Sequence, residues 1–238
     1  MSDIQMSLFE DQPEFTLPTG KDSMLARIQH PISRTTVFET TVSEETLQNT
    51  SNIFRMQPPK DGQCFHYLTD GAFDLTSYLV WLQLQLGKLK RVLVSAWSFG
   101  AADVWNILQM CDKGKILQLD ILASDQHPKR HKMEHQMFLY MRSKGKLHNY
   151  WVAPIHSKLI LIETSDGCFY TVNSAANCTM KAQIEVAAVT CGRDVYEFYN
   201  NIFTDMDIFS VSDAEKDPDF NIPTYEQAKE NHSVLYGD

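Results

Sequence analysis

Nowhere in the 238 residues does an apolar run approach the ~20 needed to span a bilayer, so no membrane-crossing helix is expected. The opening "MSDIQMSLFEDQ" lacks the basic start and apolar stretch of a secretory leader. Cysteine is sparse and unpatterned: Cys64, Cys111, Cys168, Cys178 and Cys191 are odd in number and include no C-x-x-C pair. That usage is expected of a reduced, cytoplasmic protein rather than a disulfide scaffold. Internal repeats and low-complexity tracts are also missing. Basic charge is short overall, with a formal net charge of −9, which on its face argues against nucleic acid as a partner.

The distribution of charge reverses that first impression. Residues 1–55 hold four Lys or Arg against eight Asp or Glu, and residues 213–238 hold two against seven. The acidity is therefore terminal. Within the neutral middle, residues 113–158 carry nine basic side chains against Asp120, Asp125 and Glu134. Such a stretch can form a phosphate-attracting face, or simply a solvated surface. With 43% hydrophobic residues, the chain can bury a sizeable core.

Residues 1–22 read as a flexible tail, 23–63 as an N-terminal extension, 64–211 as the folded domain and 212–238 as an acidic C-terminal tail. "FDLTSYLVWLQLQL" has a helical pattern, and "KRVLVSAW" is a continuous apolar strand of the kind buried on both faces. Ser98 is positioned to cap a helix "FGAADVWNILQMC" ending near Gly114. "ILQLDILA" is the next strand, and Asp125 precedes one helix running through "HKMEHQMFLYMRSKG". Then follow "LHNYWVA", "IHSKLILIE", a turn at Ser165–Gly167, "CFYTV", "QIEVAAVT" and a last helix "RDVYEFYNNIFTDM". This order predicts an α/β fold: a mixed β-sheet flanked by helices, in one domain with flexible acidic tails.

"APIHSKLILIE" is the stretch that carries chemistry. Alternation along a strand puts His156, Lys158, Ile160 and Ile162 on one face, with an imidazole and an ammonium at the mouth of an apolar strand. An anionic ligand that neutralises the lysine while the histidine attacks or protonates it accounts for that pairing. Polar residues facing water at a strand start account for it equally well.

With the downstream "NSAANCTMKAQIE", the segment resembles the phospholipase D superfamily, nuclease-like branch. That family's signature is His-x-Lys, four residues and Asp, then a Gly-Ser-x-Asn turn and often a Glu eight residues later. His156, Lys158, Asn177 and Glu185 match; Glu163 stands for the Asp, and the Gly-Ser pair is replaced by Asn173-Ser174 with one extra residue before Asn177, or else by Ser174-Ala175. The resemblance covers roughly residues 64–207 and implies a phospholipase D-like fold and a metal-independent phosphodiesterase without cofactor. In it His156 would attack phosphorus, Lys158 and Asn177 would bind the non-bridging oxygens, and Glu185 would orient the imidazole. Family members use two His-x-Lys motifs; this chain has one, because "HYL" at His66 lacks the lysine. A homodimer is the implied remedy.

Two further motifs compete for attention. His131 to His135 fits H-x-x-E-H, with His127 one helical interval earlier, but Lys129, Arg130 and Lys132 would repel a metal cation. A basic, nucleic-acid-contacting helix start is the preferred reading, and no metal site is expected. Trp81, Trp97, Trp105 and Trp151 lie on apolar faces and read as core. "AWSFG" corresponds to the loop after the first family strand, near its active site.

"QMSLF" resembles the Q-x-x-L-F peptide that binds the bacterial β sliding clamp, with Gln5, Leu8 and Phe9 at its determinants. Burying Leu8 and Phe9 would yield roughly 1.5–3 kcal/mol each before the ordering of the tail is deducted, hence binding of about micromolar strength. The alternative is a tail whose Leu8 and Phe9 fold back on the domain. Together these features predict a nuclease of bacterial or phage DNA processing, tethered to the clamp. A catalytically inactive DNA- or clamp-binding accessory protein of the same fold is the alternative.

Overall fold

The computed structural model describes residues 41–42, 56–69, 73–178, 185–205 and 209–210. The expectations for the N-terminal tail, its peptide Gln5, Leu8 and Phe9, and the C-terminal tail lie outside the described residues. The chain enters one sheet through β1 (Thr41–Val42) and β2 (Gln63–Thr69). Helix α1 (Leu75–Leu86) follows because Asp74 caps it, accepting from the Ser77 N–H and hydroxyl at 2.7 Å each. It stops at Gly87, whose φ of 75° no other residue adopts without strain.

Next come β3 (Leu89–Ala96), α2 (Ala101–Asp112), β4 (Ile116–Ser124), α3 (His127–Arg130), α4 (Lys132–Ser143) and β5 (Asn149–Ala153). A run of antiparallel strands closes the fold: β6 (Leu159–Thr164), β7 (Phe169–Ser174) and β8 (Glu185–Cys191), then α5 (Arg193–Asp205) and β9 (Phe209–Ser210). The sheet order is β1-β2-β8-β7-β6-β3-β4-β5-β9. Strands β3, β4 and β5 are mutually parallel, whereas β6 pairs antiparallel with both β3 and β7. The protein is thus an α/β domain with a mixed sheet between helices.

The apolar strands alternate between two cores. Val92, Val94, Ile160 and Ile162 join the larger core with α1, α2 and α4, which includes the fully buried Trp81 and Phe138. Leu93, Leu159 and Leu161 join a smaller one with Tyr196 and Phe203 of α5. Burial on both faces is what makes β3, β4 and β6 read as continuous apolar runs.

Three local expectations are corrected. Gly100, not Ser98, is the N-cap of α2, because Phe99 first forms a bridge with Cys178 and leaves Ser98 buried. The helix expected from Asp125 onward is two, separated at His131 (φ −126°, ψ 60°). The break lets His127 enter the core while Lys129, Arg130 and Lys132 remain exposed. Finally, β6 begins at Leu159, so His156 and Lys158 belong to the segment leading into it rather than to the strand itself.

One buried ionic cluster ties the layers together. Asp120, fully buried on β4, accepts from Arg91 Nε at 2.9 Å and Asn149 Nδ2 at 2.8 Å. Arg91 also donates through Nη1 to Asn200 Oδ1 on α5, at 3.0 Å. Removing the carboxylate leaves a largely buried guanidinium without its counter-charge. Asp120→Ala is therefore expected to lower the unfolding free energy by about 3 kcal/mol in urea titrations. A loss below about 1 kcal/mol would show that the cluster is replaceable.

Candidate active site at the strand ends

The strand directions gather one set of ends on a single rim. β3, β4 and β5 finish there, and β6 starts there because it is reversed against β3, with Ser95 opposite Leu159. β7 also finishes there, and β8 starts there with Glu185 opposite Thr69 at the end of β2.

His156 and Lys158 lie at this rim in contact. Lys158 Nζ is 3.1 Å from His156 Nδ1, 3.4 Å from Nε2 and 3.3 Å from the His156 carbonyl oxygen. The imidazole is exposed and the lysine half-buried. The approach segment is fixed from both sides. Ser157 Oγ bonds Ser95 Oγ at 2.5 Å, and the Ser174 N–H donates to the Lys158 carbonyl at 3.1 Å. Ser157 therefore takes the α5 side of the sheet with Leu159, and alternation leaves Lys158 to the other side with Ile160. Partial burial pulls Lys158 below the ordinary lysine range, while the charge of Glu185 pulls it back up. Glu185 and Lys158 are electrostatic neighbours although they lie on different strands.

The turn after β7 starts beside Lys158 and is anchored at its far end. The Leu75 N–H donates to the Asn177 carbonyl at 3.1 Å, and the Gly100 N–H to the Cys178 carbonyl at 2.7 Å. The turn is thus stitched to the first residues of both α1 and α2, whose N-termini carry partial positive charge. Asn177 Oδ1 is buried and has no hydrogen-bond partner among the described residues. Glu163, in contrast, lies at the opposite end of β6 and pairs with Lys90 at 2.6 Å.

One side chain at the rim was read differently from the sequence. Trp97, taken as core, is half-buried just past the end of β3, its ring centroid 6.4 Å from that of His156. The Arg130 guanidinium lies over the same indole, 5.4 Å from its centroid. Lys129 and Lys132 flank Arg130 as exposed residues. The sequence signals for Trp97 were its position at the end of the apolar run "KRVLVSAW" and its place in "AWSFG", the stretch that resembles a family loop near the active site.

The histidine ladder behind them is apolar in setting. His127 is fully buried and stacks on His131 at 5.1 Å, and burial, then the charges of His131 and His135, push it down to about 3. His135 shares a 2.8 Å hydrogen bond between Nδ1 and the Tyr150 hydroxyl, and burial lowers it to about 4. Among the described residues, no three His, Cys, Asp or Glu side chains are grouped to hold a metal ion. No helix among them is long and apolar enough to cross a membrane.

No protein-family model and no curated protein matches the sequence. Solved structures show partial likeness. A polyphosphate kinase from Porphyromonas gingivalis aligns at TM-score 0.43 and 11% identity, over 60% of this chain and 26% of that one. A phosphatidylserine synthase from Haemophilus influenzae Rd KW20 aligns at 0.41 and 14%, over 61% and 39%. A yeast tyrosyl-DNA phosphodiesterase aligns at 0.34 and 14%, over 53% and 31%. This chain spans less than half the length of each, and the activities in those names are those proteins' own.

Behind the anchored turn, Asp74 and Asp103 form a buried acid pair at the starts of α1 and α2. Burial, reinforced by the Asp74 charge and hydrogen bond, pushes Asp103 up to about 8. Between the ordinary value of 3.8 and about 8, the folded chain holds this proton and the unfolded chain has released it. Stability therefore falls as pH rises through that window. His127 and His135, buried neutral, act in the opposite sense, and only as pH drops below 6.5. Asp103→Asn should accordingly remove a loss of stability between pH 6.5 and 8, read from urea midpoints at the two pH values. The same pH dependence in variant and parent would exclude a shared proton at this pair.

Proposed function

We propose that the chain is a phospholipase D-like phosphodiesterase acting on nucleic acid. The observation that carries this reading is the contact of His156 with Lys158 at 3.1 Å, on a rim shared with Glu185 and the anchored turn that carries Asn177. An exposed imidazole next to a partly desolvated ammonium suits attack on a phosphodiester, whose charge the lysine offsets. A His156 nitrogen forms a bond to phosphorus as the P–O bond to the leaving group breaks, and a general acid protonates the departing oxygen. Water then attacks the phosphohistidine, restoring the free imidazole and releasing a phosphomonoester.

One histidine cannot stand at both ends of an in-line displacement. The second is His156 of the partner subunit in a homodimer, acting as the general acid. Glu185 orients the attacking imidazole, and Asn177 joins Lys158 on the non-bridging oxygens. Lys129, Arg130 and Lys132 lead the polyanion to the rim. Gln5, Leu8 and Phe9 tether the enzyme to a bacterial β sliding clamp, where two tails on a dimer gain by avidity. A DNA-processing role in a bacterium or phage follows from that tether.

Three measurements test this. A labelled oligonucleotide should be cut in the presence of EDTA, and His156→Ala should lower the rate at least about 10³-fold. Undiminished cleavage by His156→Ala removes the catalytic assignment; binding without cleavage by the parent favours the non-catalytic accessory reading, to which the buried Asn177 Oδ1 also leans. Light scattering on active protein should give a dimer, and a fully active monomer overturns the shared site. In a clamp pull-down, the Leu8→Ala/Phe9→Ala variant should lose retention; unchanged capture would make the peptide incidental.

A further inference from the structure

Trp97, Trp105 and Trp151 are all half-buried, but Trp97 is the one placed at the rim beside His156. Trp81 is fully buried against α1's core, whereas Trp97 is half-buried at the rim, between an exposed imidazole and an exposed guanidinium. Its backbone is fixed: the Trp97 carbonyl accepts from the Ser124 hydroxyl at 2.8 Å, and Ser124 is fully buried at the end of β4. On the C-terminal side, Phe99 bridges to Cys178. A backbone pinned on both sides of Trp97 fixes where the indole projects, which lowers the ordering required on binding.

The neighbours of the ring define what would lie on it. The His156 ring is tilted by 56° and 6.4 Å away, too far and too inclined to stack flat on the indole. The Arg130 guanidinium, 5.4 Å from the ring centroid, places a cation over the indole. A nucleotide offers the matching pair, a phosphate joined through one sugar to a flat π-surface. With the phosphate at His156 and Lys158, the adjoining base reaches Trp97, and the next phosphate along the strand reaches Arg130. A lipid headgroup supplies the phosphate but nothing flat to occupy the indole.

We propose that Trp97, backed by Arg130, is a stacking platform for the nucleobase next to the reacting phosphate, which makes single-stranded nucleic acid the substrate class. The bases of an intact duplex are stacked on one another and present no free face, whereas single strands are gripped by aromatic rings set in basic grooves. The proposal rests on the phosphodiesterase reading for the position of the phosphate. Trp97 is a positioning and specificity residue here, since stacking takes no part in bond making.

The test separates base from phosphate. Equilibrium binding of a labelled single-stranded oligonucleotide and of an abasic strand of equal length is measured by fluorescence anisotropy, using the full chain in the His156→Ala background to prevent turnover. The base-bearing strand should bind about tenfold more tightly than the abasic one. Adding Trp97→Ala should bring that ratio close to one while leaving abasic binding unchanged, which also shows that the protein is folded. Trp97→Tyr should restore most of the ratio. A ratio near one before Trp97 is changed, a ratio that survives Trp97→Ala, or equal weakening on both strands overturns the platform. The wild-type cleavage assay in EDTA is separate: base-dependent binding through Trp97 without cleavage ends the phosphodiesterase reading and leaves the base site standing.

Discussion

Everything at the rim depends on the reversal of β6 between β3 and β7. Three parallel strands, β3, β4 and β5, deliver their C-terminal ends to one edge, and connections after such ends are where α/β sheets hold ligands. A fourth parallel strand would have brought Glu163, not His156, to that edge. Because β6 runs antiparallel to β3, its leading segment arrives there instead, and a side-chain hydrogen bond from Ser95 to Ser157 ties that segment to β3. That tie holds His156 and Lys158 near the end of β3 even though both precede the strand itself. The Ser174 N–H on the Lys158 carbonyl does the same from β7.

Charge at the rim is arranged by the same geometry. β8 is reversed against β7 and β2, so its first residue, Glu185, faces the approach to β6 and stabilises the protonated form of Lys158 against the cost of partial burial. The acid pair behind the turn contributes less negative charge than its composition suggests, since Asp103 is pushed up to about 8 and remains protonated at neutral pH. The Asn177–Cys178 segment itself is held to the starts of α1 and α2 by the Leu75 and Gly100 N–H groups.

The architecture was legible because burial on both faces leaves a mark that survives without the partner strands in view. "KRVLVSAW", "ILQLDILA" and "LILIE" are apolar at both parities, and each became a central strand with one face in each core. His156 and Lys158 stood out for the complementary reason: polar residues abutting such a run need an explanation. Features fixed by a distant segment were invisible. Ser98 looks like a cap until Phe99 meets Cys178, 79 positions along the chain. His127 and Lys129 look alike as members of a basic helix start until the break at His131 sends one inward and leaves the other out. Trp97 shares the apolar context of Trp81 but falls just past the end of β3, at the rim.

The departures from the phospholipase D signature differ in weight for the same positional reason. Glu163 in place of Asp lies a full strand length from His156, and its longer side chain reaches outward to Lys90 on the neighbouring strand. That exchange bears on how β6 is held at its far end, and a carboxylate of either length can do this. The extra residue between Ser174 and Asn177 lies on the rim itself, where the chain must span from β7, beside Lys158, to the Cys178 bridge between α1 and α2. Both ends of that span are pinned, so the chain between Ser174 and Asn177 runs between fixed points. In this segment the Asn177 Oδ1 is buried and without a hydrogen-bond partner among the described residues.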